Sequence, residues 1–308
     1  MCGIAALQLR NSALEPRLGE LMGTMLCEIV DRGTDSAGMA LYGDPELTSP
    51  GGTTVTVLDA AITGDALVEA LSKRLPDSAL PATQTLGETT VIRATTDSAT
   101  LEAAIAWVLP GAAIAGRGAH VAVLKGTGHP LELAEQYALA GRSGTQGVSH
   151  TRMATESAVT ATGSHPFTVS DDLCLVHNGS FSNHASIRRQ LRKKGVEFDS
   201  ENDSEVAARF ISWRMREGDT LTDALHALAE VFDGFYTLVV TTADSMAVVR
   251  DPISCKPAII AETDDWVAMA SEYRALAGLP GVENARIFEP EPGRVYIWTA
   301  PVRELVSA

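Results

Sequence analysis

Hydrophobic residues follow two different spacings in the first 43 residues of the chain. Residues 2–9 (CGIAALQL) are almost continuously apolar over a short run, which predicts a strand. After Pro16 the apolar residues recur at helical spacing, which predicts an amphipathic helix packed on a core. These residues are Leu18, Leu21, Met22, Met25, Leu26 and Ile29. We expect this helix to end near Gly33 in a left-handed conformation, before a second strand over 39–43.

The stretch from 46 to 145 differs from the sequence on either side of it. Strand candidates alternate there with helical patterns over 65–75 and 98–109, and loop-like sequences flank the stretch. Strands that alternate with helices in this way are typical of a small α/β lobe. Because the stretch carries almost no clustered polar chemistry, we interpret it as a lobe inserted into a domain that covers 2–308.

Short strand candidates with tight turns return from Gly147 onwards. They lie at 147–150, 173–177, 236–242, 246–250, 257–261, 266–270 and 294–298. Helix candidates cover 182–194, 204–217 and 220–232. Many short strands together with a cluster of helices predict an α+β layered domain with largely antiparallel sheets.

Charge and cysteine content narrow the class of protein. Lys and Arg number 24 and Asp and Glu number 39, so the 308-residue chain has a formal net charge of −15. We therefore expect neither nucleic acid nor an anionic membrane as a partner. The four cysteines contain no CxxC pair, which argues against a zinc cage and a disulfide framework. Without an apolar run of membrane-spanning length or a signal-peptide pattern, the sequence predicts a soluble cytoplasmic protein.

Cys2 is the first candidate for chemistry. If Met1 is removed, the α-amino group of Cys2 stands beside its own thiol, and such an amine has a reference pKa near 8. It can then accept the thiol proton, so that one residue supplies both nucleophile and base. The alternative is that Cys2 is a small buried hydrophobic residue at the start of a strand.

Arg152 follows a short strand and lies among small and hydroxylated residues. Such a guanidinium can bind a carboxylate through two parallel hydrogen bonds. The alternative is a surface arginine in a solvated ion pair.

Asn178 and Gly179 follow the apolar run 173–177. An asparagine NH₂ group and the next backbone N–H are the components of an oxyanion hole. The alternative is a turn, because Asn-Gly is a frequent turn dipeptide.

Asp203 precedes a predicted helix, and its carboxylate is suited to pair with a substrate ammonium. The alternative is a helix N-cap. The spacings between His150, His165 and His177 match no local pattern of metal ligands, so we expect structural or hydrogen-bonding histidines and no metal site.

The order of these motifs identifies a family resemblance. The sequence CGI at the start, DRGTDSAG over 31–38, HTRMAT, HPF, HNG and NDSE follow one another along the chain. Together with RDPISCKP and SEYRAL further on, this order closely resembles the class II glutamine amidotransferases, which are N-terminal-nucleophile hydrolases. The resemblance spans 2–43 and 147–274.

The resemblance implies a fold and a set of roles. The fold is a four-layer αββα arrangement in which two antiparallel sheets stack between helix layers, here with the small α/β lobe inserted. The implied catalytic residues are Cys2 as nucleophile and Asn178 and Gly179 as the oxyanion hole. Arg152, Thr155 and Asp203 are implied to bind glutamine, and Arg32, Asp35 and His150 are given supporting roles.

A chain of this kind resembles the stand-alone glutaminase-like subunit of glutamate synthase or N-methylglutamate synthase systems. The resemblance implies no cofactor in this chain. It implies an FMN-dependent synthase subunit, with an iron–sulfur cluster as a further candidate there, and a β-helical subunit as partners. Two alternatives stay open: a subunit of N-methylglutamate synthase (methylamine–glutamate N-methyltransferase), and a non-catalytic binding module that retains the fold.

Overall fold

The computed structural model describes residues 2–49, 51–153 and 158–300, in which sixteen strands form three sheets. The strands are β1 (Gly3–Leu9), β2 (Ser36–Tyr42), β3 (Thr53–Leu58), β4 (Ala82–Leu86), β5 (Thr89–Ala94), β6 (Ala113–Gly118), β7 (Val121–Thr127), β8 (Gln146–Arg152), β9 (Phe167–Ser170), β10 (Leu173–Phe181), β11 (Gly234–Thr241), β12 (Ser245–Arg250), β13 (Ile259–Glu262), β14 (Trp266–Ala270), β15 (Arg286–Phe288) and β16 (Val295–Thr299). The α-helices are α1 (Leu18–Ile29), α2 (Gly64–Ser72), α3 (Ser98–Val108), α4 (Pro130–Gln136), α5 (His184–Arg192), α6 (Asp203–Arg216) and α7 (Leu221–Val231).

Two antiparallel sheets make up the main body of the protein. The seven-stranded sheet has the order β15-β13-β14-β1-β8-β2-β7, and the five-stranded sheet has the order β16-β12-β11-β10-β9. In β1 the side chains alternate between two cores, because successive residues of a strand point to opposite faces. Ala5 and Leu7 belong to the core shared with α1, whereas Ile4 and Ala6 belong to the core between the two sheets.

Helices cover the outer face of each sheet. α1 packs on the seven-stranded sheet through the apolar stripe predicted from its spacing. Apolar residues of α5, α6 and α7 share a second core with β10, β11 and β12 of the five-stranded sheet. The order helix, sheet, sheet, helix confirms the predicted α+β, αββα architecture.

The third sheet contains four antiparallel strands in the order β4-β5-β3-β6. With α2 and α3 it forms a β-α-β-β-α-β unit that has its own hydrophobic core. The range 46–145 contains this unit, and it also contains β7, which pairs with β2 in the seven-stranded sheet. The division into an inserted lobe over 46–145 and a surrounding domain over 2–308 stays a prediction.

Gly33 differs from its predicted role. Its φ of −169° is extended rather than left-handed, and a short 3-10 helix over Val30–Arg32 follows α1. A Cβ at this position would lie 2.4 Å from the carbonyl carbon of Arg152, so glycine is needed there for a close approach of two backbones. Within the described part of the chain, no helix combines the length and the apolar character that crossing a bilayer requires.

Candidate active site

Cys2 lies immediately before β1, half-buried, where the ends of several elements meet. Its carbonyl oxygen accepts hydrogen bonds from Arg32 Nε at 3.0 Å and from Asn178 Nδ2 at 3.1 Å. Its Sγ lies 4.0 Å from the carbonyl oxygen of Met153, the residue that follows β8. Three segments predicted separately from the sequence therefore converge on Cys2.

Asn178 and Gly179 lie within β10 and pair with β11, so they do not form the turn that was the alternative to an oxyanion hole. Asn178 Oδ1 lies 3.0 Å from His150 Nε2, and Nδ2 also lies 3.4 Å from Ser271 Oγ. Gly179 has a φ of 138°, and a Cβ there would lie 1.8 Å from the carbonyl oxygen of Phe235. Only glycine fits this position without displacing the neighbouring strand.

Asp203 is the first residue of α6 and not its N-cap, so the alternative role is wrong. The N-cap is Asn202, whose side chain accepts a hydrogen bond from Ser204 N at 2.8 Å. Asp203 Oδ2 instead accepts from the backbone N–H of Phe181 at 2.9 Å, which joins the start of α6 to the end of β10. The Asp203 side chain keeps 21% of its surface exposed, which leaves the carboxylate accessible beside β10.

Arg152 is the last residue of β8 and is half-buried. One of its guanidinium nitrogens, Nη1, donates to the carbonyl oxygen of Ala158 at 3.3 Å. The register places Thr151 opposite Gly3, so Arg152 and Cys2 lie at the same end of the β1–β8 pair. Thr155, the other predicted contact to glutamine on this side, lies outside the described residues.

Arg32 and Asp35 occupy the connection between α1 and β2. The Arg32 side chain is 12% exposed and forms an ion pair with Glu272 in addition to its bond to Cys2. Asp35 makes backbone contacts: its N–H donates to Arg152 O at 3.1 Å, and its carbonyl accepts from Gly128 N at 2.8 Å. Arg32 therefore contacts Cys2 directly, whereas Asp35 links to the site through Arg152.

Three buried histidines lie behind these residues. Ser204 Oγ lies 3.0 Å from His165 Nε2 and 2.9 Å from His177 Nδ1, and the rings of His150 and His165 are 4.2 Å apart. Burial lowers the pKa of His150 to about 3 and that of His177 to about 4, and it lowers the pKa of His165 well below its usual range. All three rings are therefore neutral at pH 7.

Sequence reasoning did not assign roles to Ser204, Ser271 and Glu272. Ser204 joins two histidines, Ser271 contacts Asn178 and Ile4, and Glu272 holds Arg32. All three lie inside motifs that carried the family resemblance, NDSE and SEYRAL. Their position in those motifs could have marked them as candidate site residues. Their contacts could not be predicted, because the residues that they contact lie far away in the sequence.

Comparisons with known proteins show which proteins this chain is similar to. A family model described as a glutamine amidotransferase domain matches residues 150–278. The glutamine amidotransferase-like protein GlxB of Rhizobium meliloti is 44% identical over 300 residues, which cover 97% of this chain and 98% of that protein. A glutamine–fructose-6-phosphate aminotransferase of Aliivibrio fischeri is 38% identical over 113 residues, which cover 37% of this chain and 18% of that protein.

A solved structure of glutamine phosphoribosylpyrophosphate amidotransferase from B. subtilis has a similar fold. The TM-score is 0.61 and the sequence identity is 20%. The match covers 97% of this chain and 47% of the solved chain, so this chain spans about half the length of that enzyme.

Proposed function

Because this chain belongs to the glutamine amidotransferase family, we propose that it hydrolyses the side-chain amide of L-glutamine to glutamate and ammonia through a thioester on Cys2. The observation that carries this proposal is the contact between Asn178 Nδ2 and the Cys2 carbonyl at 3.1 Å. This contact holds an amide donor next to Cys2, at the place where the start of β1 and the end of β8 meet β10.

The proposed reaction begins once Met1 is removed. The thiol proton of Cys2 passes to its α-amino group, and the thiolate attacks the side-chain carbonyl carbon of glutamine. Negative charge develops on the carbonyl oxygen, which we place against the Gly179 N–H and Asn178 Nδ2, with Nδ2 exchanging its 3.4 Å bond to Ser271 Oγ for the oxyanion. The carbon–nitrogen bond then breaks, the α-ammonium returns its proton to the leaving ammonia, and water hydrolyses the thioester to release glutamate and the free thiol.

Binding of the amino-acid part of glutamine is assigned to charged groups on either side of Cys2. Arg152 is proposed to clamp the α-carboxylate with help from Thr155, and Asp203 is proposed to hold the α-ammonium. The support for Asp203 is its partly exposed carboxylate: Oδ2 accepts from Phe181 N, and Oδ1, which lies 3.4 Å from Ser204 Oγ, keeps a lone pair for a ligand.

We further propose that the released ammonia passes to a partner chain of glutamate-synthase type, which binds FMN and works with a β-helical subunit. The support is the match of this chain to nearly the whole of GlxB but to only about half of the phosphoribosylpyrophosphate amidotransferase. Purified complex would be assayed for ammonia release from glutamine and for incorporation of ammonia or methylamine into glutamate. Methylamine incorporation that exceeds ammonia incorporation would favour the N-methylglutamate synthase alternative.

The central test uses a glutamine-mimicking diazoketone and a matched pair of cysteine variants. We expect the reagent to label Cys2, and Cys2→Ser to lower glutamine hydrolysis by about a thousandfold or more while the fold is retained. Cys27→Ser, on the exposed surface of α1, is the control and should keep full activity. Intact-mass analysis of active protein with Met1 retained would contradict the role of the α-amine, and an unlabelled Cys2 would favour the binding-module alternative.

A further inference from the structure

A cavity of about 280 Å³ lies between the small sheet and the main body, apart from Cys2 and its neighbours. One wall is β6, an edge strand of the small sheet, and another is β9, an edge strand of the five-stranded sheet. The start of α6 and residues 199–200 close the third side. At about 30 Å³ for each water-sized group, the cavity has room for a small organic molecule.

Lys125 on β7 lines this cavity with its ammonium group buried, since only 4% of the residue is exposed. Its Nζ donates to the carbonyl oxygens of Ser164 at 3.1 Å and Pro166 at 3.3 Å. Among the residues that the structure describes, no carboxylate lies within 4.0 Å of this nitrogen. A buried ammonium without an anionic partner is costly, because dipoles replace its lost hydration only in part.

The carboxylates at the cavity wall already have partners. Arg209 pairs with Asp199 at 2.5 Å and with Glu205 at 3.2 Å. Glu205 also accepts from the backbone N–H groups of Asp199 and Ser200, each at 2.8 Å. Arg209 offers one positive charge to these two carboxylates, so with Lys125 the four charges of the lining sum to zero, and Lys125 is the charged side chain there without an ion-pair contact within 4.0 Å.

The rest of the lining combines apolar side chains with the hydroxyl side chains of Thr162, Thr168 and Ser200. Leu58 and Ala113 of the small sheet and Phe167 of β9 are hydrophobic side chains, and Ala115 is almost fully buried. A ligand that suits both parts has one anionic end and a short aliphatic body. We propose that this cavity binds a small organic carboxylate, with its carboxylate against Lys125 and its aliphatic part against these residues.

The cavity is connected to the proposed glutamine site by a short chain of contacts. Ser164 and Pro166, which hold Lys125, flank His165, and His165 Nε2 lies 3.0 Å from Ser204 Oγ. Ser204 follows Asp203, the residue proposed to hold the glutamine ammonium. A bound carboxylate that draws Lys125 away from the two carbonyls would therefore alter glutamine binding, a consequence that rests on the proposed function.

Calorimetric titration with butyrate and with glutarate tests the site without turnover, because it is done on the Cys2→Ser protein. We expect saturable binding of at least one of them, weakened about tenfold or more by Lys125→Met, which removes the charge but keeps the length. Ala113→Leu, which fills the cavity and leaves Lys125 in place, should have the same effect. Lys73→Met, at an exposed lysine of the small lobe, should bind like the parent protein.

Two outcomes would overturn the site: no saturable binding by the parent protein, or equal binding by all the variants. Inorganic phosphate is titrated in parallel, and binding as tight as that of the carboxylates would overturn the aliphatic part of the proposal. In the active enzyme, a saturating carboxylate should change the KM for glutamine several-fold, and Ala113→Leu should abolish that change. An unchanged KM in carboxylate-saturated enzyme would overturn the connection to Asp203, whereas loss of the proposed function would appear separately as the absence of glutamine hydrolysis.

Discussion

Hydrogen bonds to Nδ2 and to Oδ1 fix the orientation of the side-chain amide of Asn178. Nδ2 donates to the Cys2 carbonyl at 3.1 Å and to Ser271 Oγ at 3.4 Å, so Oδ1 is the atom that faces His150 Nε2 at 3.0 Å. Because Oδ1 only accepts, His150 must carry its proton on Nε2. Burial lowers the pKa of His150 to about 3, so the neutral ring persists at pH 7. We infer that His150 is a positioning residue for the proposed oxyanion donor.

Replacement of His150 should therefore affect the reaction more than substrate binding. His150→Phe removes the donor to Oδ1 and releases the amide, and we expect kcat for glutamine hydrolysis to fall about thirtyfold, equivalent to about 2 kcal/mol. His150→Gln keeps an N–H donor and should recover most of this loss. Steady-state kinetics distinguish the two variants, with His226→Gln on the exposed side of α7 as control. A rise in KM at unchanged kcat would show that His150 serves binding instead.

Arg152 should respond to a substitution that keeps its charge. Lys offers a point charge, whereas the planar guanidinium can bind both oxygens of a carboxylate at once. We expect Arg152→Lys to raise the KM for glutamine about tenfold or more, with a smaller change in kcat. Arg189→Lys on the exposed side of α5 is the matched control. Equal KM values in the two variants would remove Arg152 from the proposed carboxylate clamp.

At the scale of elements, Asp172 joins two turns that belong to different sheets. It lies between β9 and β10, and its carboxylate accepts from the backbone N–H groups of Ala119, His120 and Val121 at 3.2, 2.8 and 3.1 Å. Ala119 and His120 form the turn from β6 into β7, and Val121 is the first residue of β7. The hydrogen bonds give these partly buried N–H groups an acceptor, and they connect the small sheet to the five-stranded sheet.

Loss of this carboxylate should destabilise the connection. We expect Asp172→Ala to lower the free energy of unfolding by about 2 kcal/mol, because three N–H groups lose their acceptor. Asp171→Ala removes the adjacent carboxylate, whose side chain is 55% exposed, and should change stability by less than about 0.5 kcal/mol. Urea unfolding of both variants gives the comparison. Similar losses in the two proteins would mean that the Asp172 bonds contribute little.

Strand β10 shows how far the apolar pattern can predict an element. The run 173–177 predicts its first half correctly, but the strand continues to Phe181 through residues that are individually typical of turns. The continuation depends on pairing with β11, and in particular on the close approach that Gly179 allows to the Phe235 carbonyl. Such a pairing joins residues more than fifty positions apart, so local periodicity does not reveal it.

The sequence prediction missed β4 and β6 of the small sheet, and it also missed β9, β15 and α4, which the same limit explains. β9 and β15 have four and three residues, which is too short for an alternating pattern, and α4 has seven. The long amphipathic α1 and the capped α3, where Asp97 accepts from Thr100 N, were predicted from local signals. In the site, the residue types Cys2, Asn178 and Asp203 could be predicted as candidates, whereas the hydroxyl of Ser204 between two histidines could not.

At the scale of the whole molecule, the stacked sheets remove the three site histidines from water. His150 and His177 lie on β8 and β10, one in each sheet, and His165 lies between them in the chain, with its ring against His150. Together with Ser204 they form a neutral polar layer that keeps hydrogen bonds without ionic charge. The folded chain therefore excludes protons that the unfolded chain would bind in mildly acidic solution.

This exclusion predicts how stability depends on pH. The pKa values of the three histidines in the folded protein lie below the value of about 6.5 that each has when unfolded. The unfolded state thus binds more protons than the folded state below about pH 6.5. The contribution of the histidines to the free energy of unfolding is therefore fully present above that pH and decreases as the pH falls. Each histidine contributes a slope that approaches about 1.4 kcal/mol per pH unit as the pH falls from about 6 to 5.

The measurement is the free energy of unfolding in urea at pH 7.5, 6.0, 5.5 and 5.0. Asp44 and Asp172 act in the opposite direction, because burial raises their pKa values and the folded state therefore binds protons there more readily than the unfolded state as the pH falls. We expect His150→Gln to reduce the slope of the free energy of unfolding against pH by about a third, because one of the three buried histidines no longer titrates on unfolding. His226→Gln should leave this slope unchanged. A free energy of unfolding that stays constant from pH 7.5 to 5.0 would mean that the histidine layer takes up protons without unfolding. In that case the neutral state of His150, on which the orientation of Asn178 depends, would be wrong as well.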